Sequence, residues 1–201
     1  MIMKETILQK ATDMFLTLGY KSVTMDDIAN EMGISKKTIY LHYANKNELV
    51  EASTTSLFIT IAEGIDEICT LGYNSIEEIF IIRKFLMKHL NNETASPFFQ
   101  LQKFFPQTFS ALRQKQFEKM HTCMTESIEK GIRDGLYRTD LDVDFTSRIY
   151  FTGLTGIKDS DIFPHSVYDI NAVTRQFLEY HLRAITTKSG QSQLKEVLKK
   201  Y

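Results

Sequence analysis

Apolar residues recur at intervals of three and four along almost the whole chain, and only three prolines and nine glycines interrupt them in 201 residues. An α-helix turns about 100° per residue, so this spacing gathers apolar side chains onto one face and gives each helix a side to bury. A half-buried strand needs alternation with a period of two, and no such run occurs. The expected fold is therefore all-α, with about nine helices. At 43% hydrophobic and 24% charged residues the chain lies in the globular range.

The first helix is expected over residues 3–18, with Ile7, Leu8, Ala11, Phe15 and Leu18 on its inner face and Gly19 ending it. Thr24 followed by Asp27 has the spacing of a capping box and opens a short helix that Gly33 terminates. Ser35 can cap the next helix, and Asn45 with Glu48 a third. Farther along, Ser75 to Glu78 has capping-box form, and Ser96-Pro97 supplies an N-cap with proline at N1. Pro106 separates a short aromatic helix from a long one over about 108–133, closed by Gly135. A helix is expected from about Asp144 to Lys158, with Asp142 or Asp144 as its cap, and a last long helix runs to about Thr186. The chain divides into residues 1–46, residues 47–187 and a polar tail, 188–201, with one turn of helix at its end.

Within this frame the stretch Gly33 to Lys46, GISKKTIYLHYANK, carries three lysines, two tyrosines and a histidine without one acid. The net charge of the whole chain is only -1, so any polyanion site has to be local. Two short helices around a glycine turn make a helix-turn-helix, whose second helix can enter the major groove. On that helix Ile39 and Tyr43 fall together as the inward side, Lys37, Thr38 and Leu41 point outward, and Tyr40 and His42 take the flanks. Lys36 adds charge near the helix start, and Lys46 combines an ammonium with free backbone N–H groups at a helix N-terminus. No acidic neighbour is expected to pair with these cations. Taken singly, the same residues are equally explained as solvated charges and packing groups.

Residues 5–50 resemble the DNA-binding domain of the TetR family of bacterial transcriptional regulators, through Gly19-Tyr20, Thr24, Ile28-Ala29, Gly33-Ile34-Ser35, Ile39-Tyr40, His42-Tyr43, Lys46 and Leu49. The resemblance implies that Thr24 caps its helix and binds a phosphate, that Lys36, Lys37 and Thr38 lie nearest the bases, and that Tyr40, His42 and Lys46 hold phosphates; Ser35 is counted with them as a DNA-binding residue. The chain departs from the family pattern at Lys37, where small residues are common, and at Leu41, whose apolar side chain suits a thymine methyl. The domain lacks arginine, so bidentate guanine recognition by that side chain is unavailable.

A short recognition helix makes few contacts, so such modules usually act as dimers on palindromic double-stranded operators. Phe145, Ile149, Gly153 and Gly156 lie along one late helix, and Val173, Phe177, His181 and Ala184 along the last; the resemblance implies a four-helix bundle formed with a second copy. It also implies that the middle helices enclose an unidentified small-molecule effector. Phe98, Phe99, Phe104 and Phe105, with Met120, Met124 and His121, favour an apolar or aromatic one. Ordinary core packing explains each of these residues as well.

No catalytic pattern stands out: there is no G-x-S-x-G, phosphate-binding loop, dinucleotide glycine motif or H-E-x-x-H. Asp140, Asp142 and Asp144 imitate the start of a calcium loop, but Phe145 and Phe151 stand where it needs glycine and glutamate. Neither metal nor cofactor is expected, and Cys69 and Cys123 match no metal or redox spacing. With no signal-peptide run and no apolar membrane span, a cytoplasmic protein is expected. The expected function is a ligand-responsive, homodimeric repressor and not an enzyme. A helix-turn-helix regulator answering to a protein partner and a helical-bundle carrier or enzyme are the alternatives.

Overall fold

Most helices begin where a side-chain oxygen accepts the first unpaired backbone N–H groups. The computed structural model describes residues 2–90, 96–164 and 166–201, with no side-chain description for 96–98. Among the described residues ten helices follow in order: α1 (Ile2–Leu18), α2 (Met25–Met32), α3 (Lys36–Tyr40), α4 (Lys46–Thr70), α5 (Ser75–His89), α6 (Ser96–Phe104), α7 (Pro106–Arg133), α8 (Val143–Gly156), α9 (Ile170–Ile185) and α10 (Lys188–Lys200). Among the described residues there is no strand, only an isolated bridge between Tyr137 and Thr186.

The chain divides into two compact units, Met1–Glu63 with His89–Lys115, and Gly64–Lys88 with Gln116–Tyr201. Residues 1–46 thus lie within the first unit, which also takes in the start of α4 and α6. In its core, Ile7, Ala11 and Phe15 of α1 meet Ile28 and Ala29 of α2, Ile39 of α3, Tyr43, Leu49 and Leu101. Leu18, expected on the inner face, is exposed instead, because α1 ends there and the chain turns away at Gly19. Gly19 has φ +91°, and the Gln100 amide packs directly against its Cα, where a Cβ would collide. Gln100 Oε1 also accepts from the Lys21 N–H at 2.9 Å, so α6 is pinned to the turn after α1.

In the second unit Ile76, Ile79 and Phe80 of α5 pack with Met124 and Ile128 of α7, Tyr150 of α8, and Leu178, Leu182 and Ile185 of α9. The α5 cap lies one residue earlier than expected. Asn74 Oδ1 accepts from the N–H groups of Ile76 and Glu77, Ser75 is buried, and Glu78 pairs with Lys130 at 2.9 Å. Asp142 caps α8, accepting from the Phe145 N–H at 3.0 Å. Burial pushes the Cys69 thiol up to about 11 and raises that of Cys123 too, which makes both poor thiolates.

Residues 188–201 are not a polar tail. Thr187 caps α10 by accepting from the Gly190 N–H, and its own hydroxyl donates to the Gly135 carbonyl at 2.7 Å. Leu194 and Val197, one turn apart, are buried in the second core, and Tyr201 stacks on Phe80. Two buried apolar side chains, the partly buried Leu198 and a cap dock a helix whose sequence is otherwise mostly polar.

The α8–α9 contact also differs from expectation. The ring of Phe177 fills the space beside Gly153 within the same chain, where a Cβ would come within 2.3 Å of it. His181 is 6% exposed and lies against Tyr150 and Phe177, with centroids 5.1 and 5.9 Å away. Gly153, Phe177 and His181 therefore pack against one another within the chain, while Val173 is half-buried. Phe145, Ile149 and Ala184 stay exposed, as does Tyr180 at 73%, and the space beside Gly156 is open.

The aromatic residues expected around an effector do not gather in one place. Phe105 packs in the first core near Tyr20, Phe99 and Phe104 are exposed, and the side chain of Phe98 lies outside the described residues. Met124 is buried in the second core with Met120 packed against it. His121 is held by Asp144, Nε2 to Oδ1 at 2.8 Å, and so is already occupied. Helix α7 explains the split: its apolar stripe serves one core with Phe109 and Leu112 and the other with Met124 and Ile128.

Replacing Leu194 by alanine should cost about 3 kcal/mol, as a large-to-small change in a packed core, and urea unfolding will read it; unchanged stability would mean that α10 does not dock. Burial lowers the His181 imidazole to about 4 from its usual 6.5. Between those values the unfolded chain binds the extra proton, so this contribution is complete above pH 6.5, declines as pH falls and levels below about 4. It amounts to roughly 3 kcal/mol. His181→Phe should flatten the stability profile over that range relative to wild type; parallel profiles would refute the assignment.

Candidate nucleic-acid interface

Helix α3 spans only five residues, yet its frame persists. The N–H of Leu41 donates to the Lys37 carbonyl, and those of His42 and Tyr43 donate to that of Ile39, so helical phase continues through Tyr43. Ile39 and Tyr43 are accordingly both buried, and the side opposite them faces water. Gly33, at φ +64°, ends α2 with its N–H on the carbonyls of Ala29 and Asn30, and this left-handed residue makes the turn tight. Ser35 then caps α3 by accepting from the Thr38 N–H at 3.1 Å, and the two hydroxyls lie 2.8 Å apart.

Thr24 and Asp27 form the expected capping box in full. The Thr24 N–H donates to Asp27 Oδ2 at 2.8 Å, the Asp27 N–H donates to Thr24 Oγ1 at 3.2 Å, and the Thr24 hydroxyl donates to the same carboxylate at 2.7 Å. These bonds hold the Asp27 carboxyl below the usual carboxylate range. The third box is displaced: Asn45 Oδ1 accepts from the Glu48 N–H, but Glu48 reaches back to the Ala44 N–H and not to that of Asn45.

The lysines differ in their surroundings. Lys36 is not free of acids, because Asp26 from the first turn of α2 meets its ammonium at 2.6 Å and holds its pKa up. This overturns the expectation of an unpaired cation; the two residues meet across the turn, where helical periodicity carries no information. Lys37 has no ion-pair partner among the described residues. Lys46 opens α4, donates to the Lys21 carbonyl at 3.0 Å and lies over the Phe105 ring at 5.7 Å. Burial lowers the pKa of Lys46, partly offset by Asp27.

Around these cations Tyr40 is exposed, Leu41 is 74% exposed and His42 is half-buried. The combined surface offers ammonium, phenol and imidazole donors around one apolar side chain. Such a set suits phosphate oxygens at the edges and base edges with a thymine methyl at the centre. Among the described residues no group of three His, Cys, Asp or Glu side chains could hold a metal ion, and no helix is long and apolar enough to cross a membrane.

The glycine turn and the buried back of α3 define a helix-turn-helix unit, the architecture of a DNA-binding protein. Residues 7–53 match the model of the bacterial regulatory proteins of the tetR family. The chain is 25% identical over 196 residues to the HTH-type transcriptional repressor KstR2 of Mycolicibacterium smegmatis, covering 93% of this chain and 92% of that protein. The biofilm operon icaADBC negative regulator IcaR of Staphylococcus epidermidis is 38% identical over 56 residues, 28% of this chain and 30% of that protein. Among solved structures, the ketosteroid transcriptional regulator KstR2 of Mycobacterium tuberculosis superposes with a TM-score of 0.60 at 22% identity, covering 92% of this chain and 95% of that one. Residues 7–53 thus match the DNA-binding domain of the tetR regulators, and the chain is a DNA-binding transcriptional regulator similar over most of its length to a repressor.

Asp26→Asn should release Lys36 and remove a negative charge from the surface. DNA affinity is expected to rise and its salt dependence to steepen by up to about 0.9 per bound chain, the increment for one phosphate contact. An unchanged slope in a salt titration would place Lys36 away from the backbone.

Proposed function

We propose that the protein is a homodimeric repressor that binds a palindromic operator and is released when an apolar effector binds. The observation that carries this reading is the solvent-facing side of α3, where Lys37 and Leu41 stand clear of the core while Ile39 and Tyr43 anchor the helix beneath them. Lys37 and Leu41 read bases, with Lys36 beside them on a neighbouring phosphate once it leaves Asp26. Ser35 and Thr38, hydrogen-bonded to each other, hold the helix start in register against the groove. Tyr40, His42 and Lys46, with Thr24 at the N-terminus of α2, position the phosphate backbone.

The dimer contact uses the apolar residues that α8 and α9 leave in water, namely Phe145 at 62% exposure, Ile149 at 45%, Tyr180 and Ala184, with Gly156 allowing close approach. An apolar surface of this kind on two adjacent helices suits a two-fold helical interface. The apolar character of the effector rests on the likeness to KstR2, a protein described as a ketosteroid regulator. Met120, beside the second core, is the residue most suited to adapt to such a molecule. Helix α4 runs unbroken from Lys46 to Thr70, so a shift at its far end carries to its phosphate-binding start. Effector binding acts as a population shift and requires differential affinity for the two states.

Sites selected from random DNA test the reading. Tyr40→Phe and Lys46→Met should weaken binding to all sequences, with Lys46→Met also lowering the salt slope, whereas Lys37→Ala and Leu41→Ala should change which sequences are selected. Unaltered affinity and preference in all four variants would overturn it.

A further inference from the structure

Helix α6 and the turn between α1 and α2 carry cations that the helix-turn-helix does not account for. Lys21 Nζ lies over the Phe104 ring at 4.8 Å, and Lys103 Nζ lies over the same ring at 5.7 Å and over Phe99 at 5.6 Å. Two ammonium groups thus share one aromatic ring, and neither has an ion-pair partner among the described residues. The stretch from Gly19 to Thr24 contains no acid, and neither does α6. A ring face steadies a cation without neutralising it. The four side chains of this ridge are all exposed.

The ridge is fixed in place and continuous with the proposed DNA surface. Gln100 accepts from the Lys21 N–H and packs on Gly19, which sets α6 against the turn one helical turn before Lys103. At its other end the Lys21 carbonyl accepts from Lys46 Nζ at 3.0 Å. From Lys46 through Lys21 and Phe104 to Lys103 the surface therefore carries three cations in sequence. Holding like charges together without counter-charge is unfavourable in isolation and becomes favourable against a polyanion. Duplex DNA, with about one negative charge per 1.7 Å of axis, supplies a repeating partner of the right sign.

We propose that the ridge formed by Lys21 and Lys103 over Phe104 extends the interface, binding the backbone of duplex DNA that flanks the segment read by α3. This rests on the DNA-binding reading of α3 and Lys46. The two lysines contact phosphates and read no bases, so they set affinity and the length of the site without changing its sequence preference.

The test uses the full chain and a duplex chosen by selection from random DNA, prepared with long flanks and with flanks trimmed to the selected segment. Lys21→Met and Lys103→Met remove the charges and keep the side-chain stems on the rings. In the double variant the slope of log affinity against log salt should fall by about 1.8 per bound chain, two phosphates at about 0.9 each. The affinity advantage of wild type per bound chain should accordingly shrink about 12-fold between about 50 and 200 mM salt. Trimming should weaken wild type and leave the double variant nearly unaffected. An unchanged slope, or equal losses on trimming, would overturn the proposal. Absence of salt-sensitive DNA binding by wild type would instead sink the repressor reading itself, so the two failures are distinguishable.

Discussion

The recognition surface depends on the burial of Ile39 and Tyr43. A five-residue helix cannot persist alone, because nucleation costs more than so few hydrogen bonds return. Here α3 is held by two side chains in a core built from α1, α2, α4 and α6. The Tyr43 hydroxyl adds a bond to the Lys4 carbonyl at 3.3 Å, and Lys4 lies over its ring. Caps at Thr24 and Ser35 and the left-handed Gly33 then set the angle between α2 and α3. What α3 presents to solvent follows from what it hides.

Electrostatics divides the exposed lysines by what steadies them. A carboxylate holds Lys36, a carbonyl and a ring hold Lys46, rings hold Lys21 and Lys103, and no ion pair among the described residues restrains Lys37. Exposed ion pairs contribute little to stability, so the Asp26 contact can be exchanged for a phosphate without endangering the fold. Cations resting on rings or carbonyls retain their full positive charge. A chain with almost no net charge can thereby keep a positive face toward a polyanion.

The second unit handles its polar groups differently. His181 behaves as an aromatic ring packed among Tyr150 and Phe177, and the cost of charging it in that setting keeps it neutral. Gly153 gives up a side chain so that Phe177 can turn inward. Lys130 satisfies the nearly buried Glu78 and also the Tyr73 carbonyl, which ties α7 to the start of α5. On α8 and α9, Phe145, Ile149 and Tyr180 remain exposed.

Local rules made much of this legible in the sequence. The period of the apolar residues determined the helices, and Thr24, Gly33, Ser35, Asn45 and Asp142 marked helix ends, because caps act within three or four residues of chain. The same phase placed Ile39 and Tyr43 inward and Lys37 and Leu41 outward, since the angle per residue is independent of what the helix packs against. Contacts between segments distant in sequence were not legible. Asp26 meeting Lys36, Phe177 filling the space at Gly153, Lys21 and Lys103 sharing Phe104, and α10 docking through Leu194 and Val197 are such contacts. A helix face shows that a residue is available but does not name its partner. Only the tertiary structure decides which side chain fills a gap or pairs with a charge, because packing and electrostatics depend on distance in space and not along the chain.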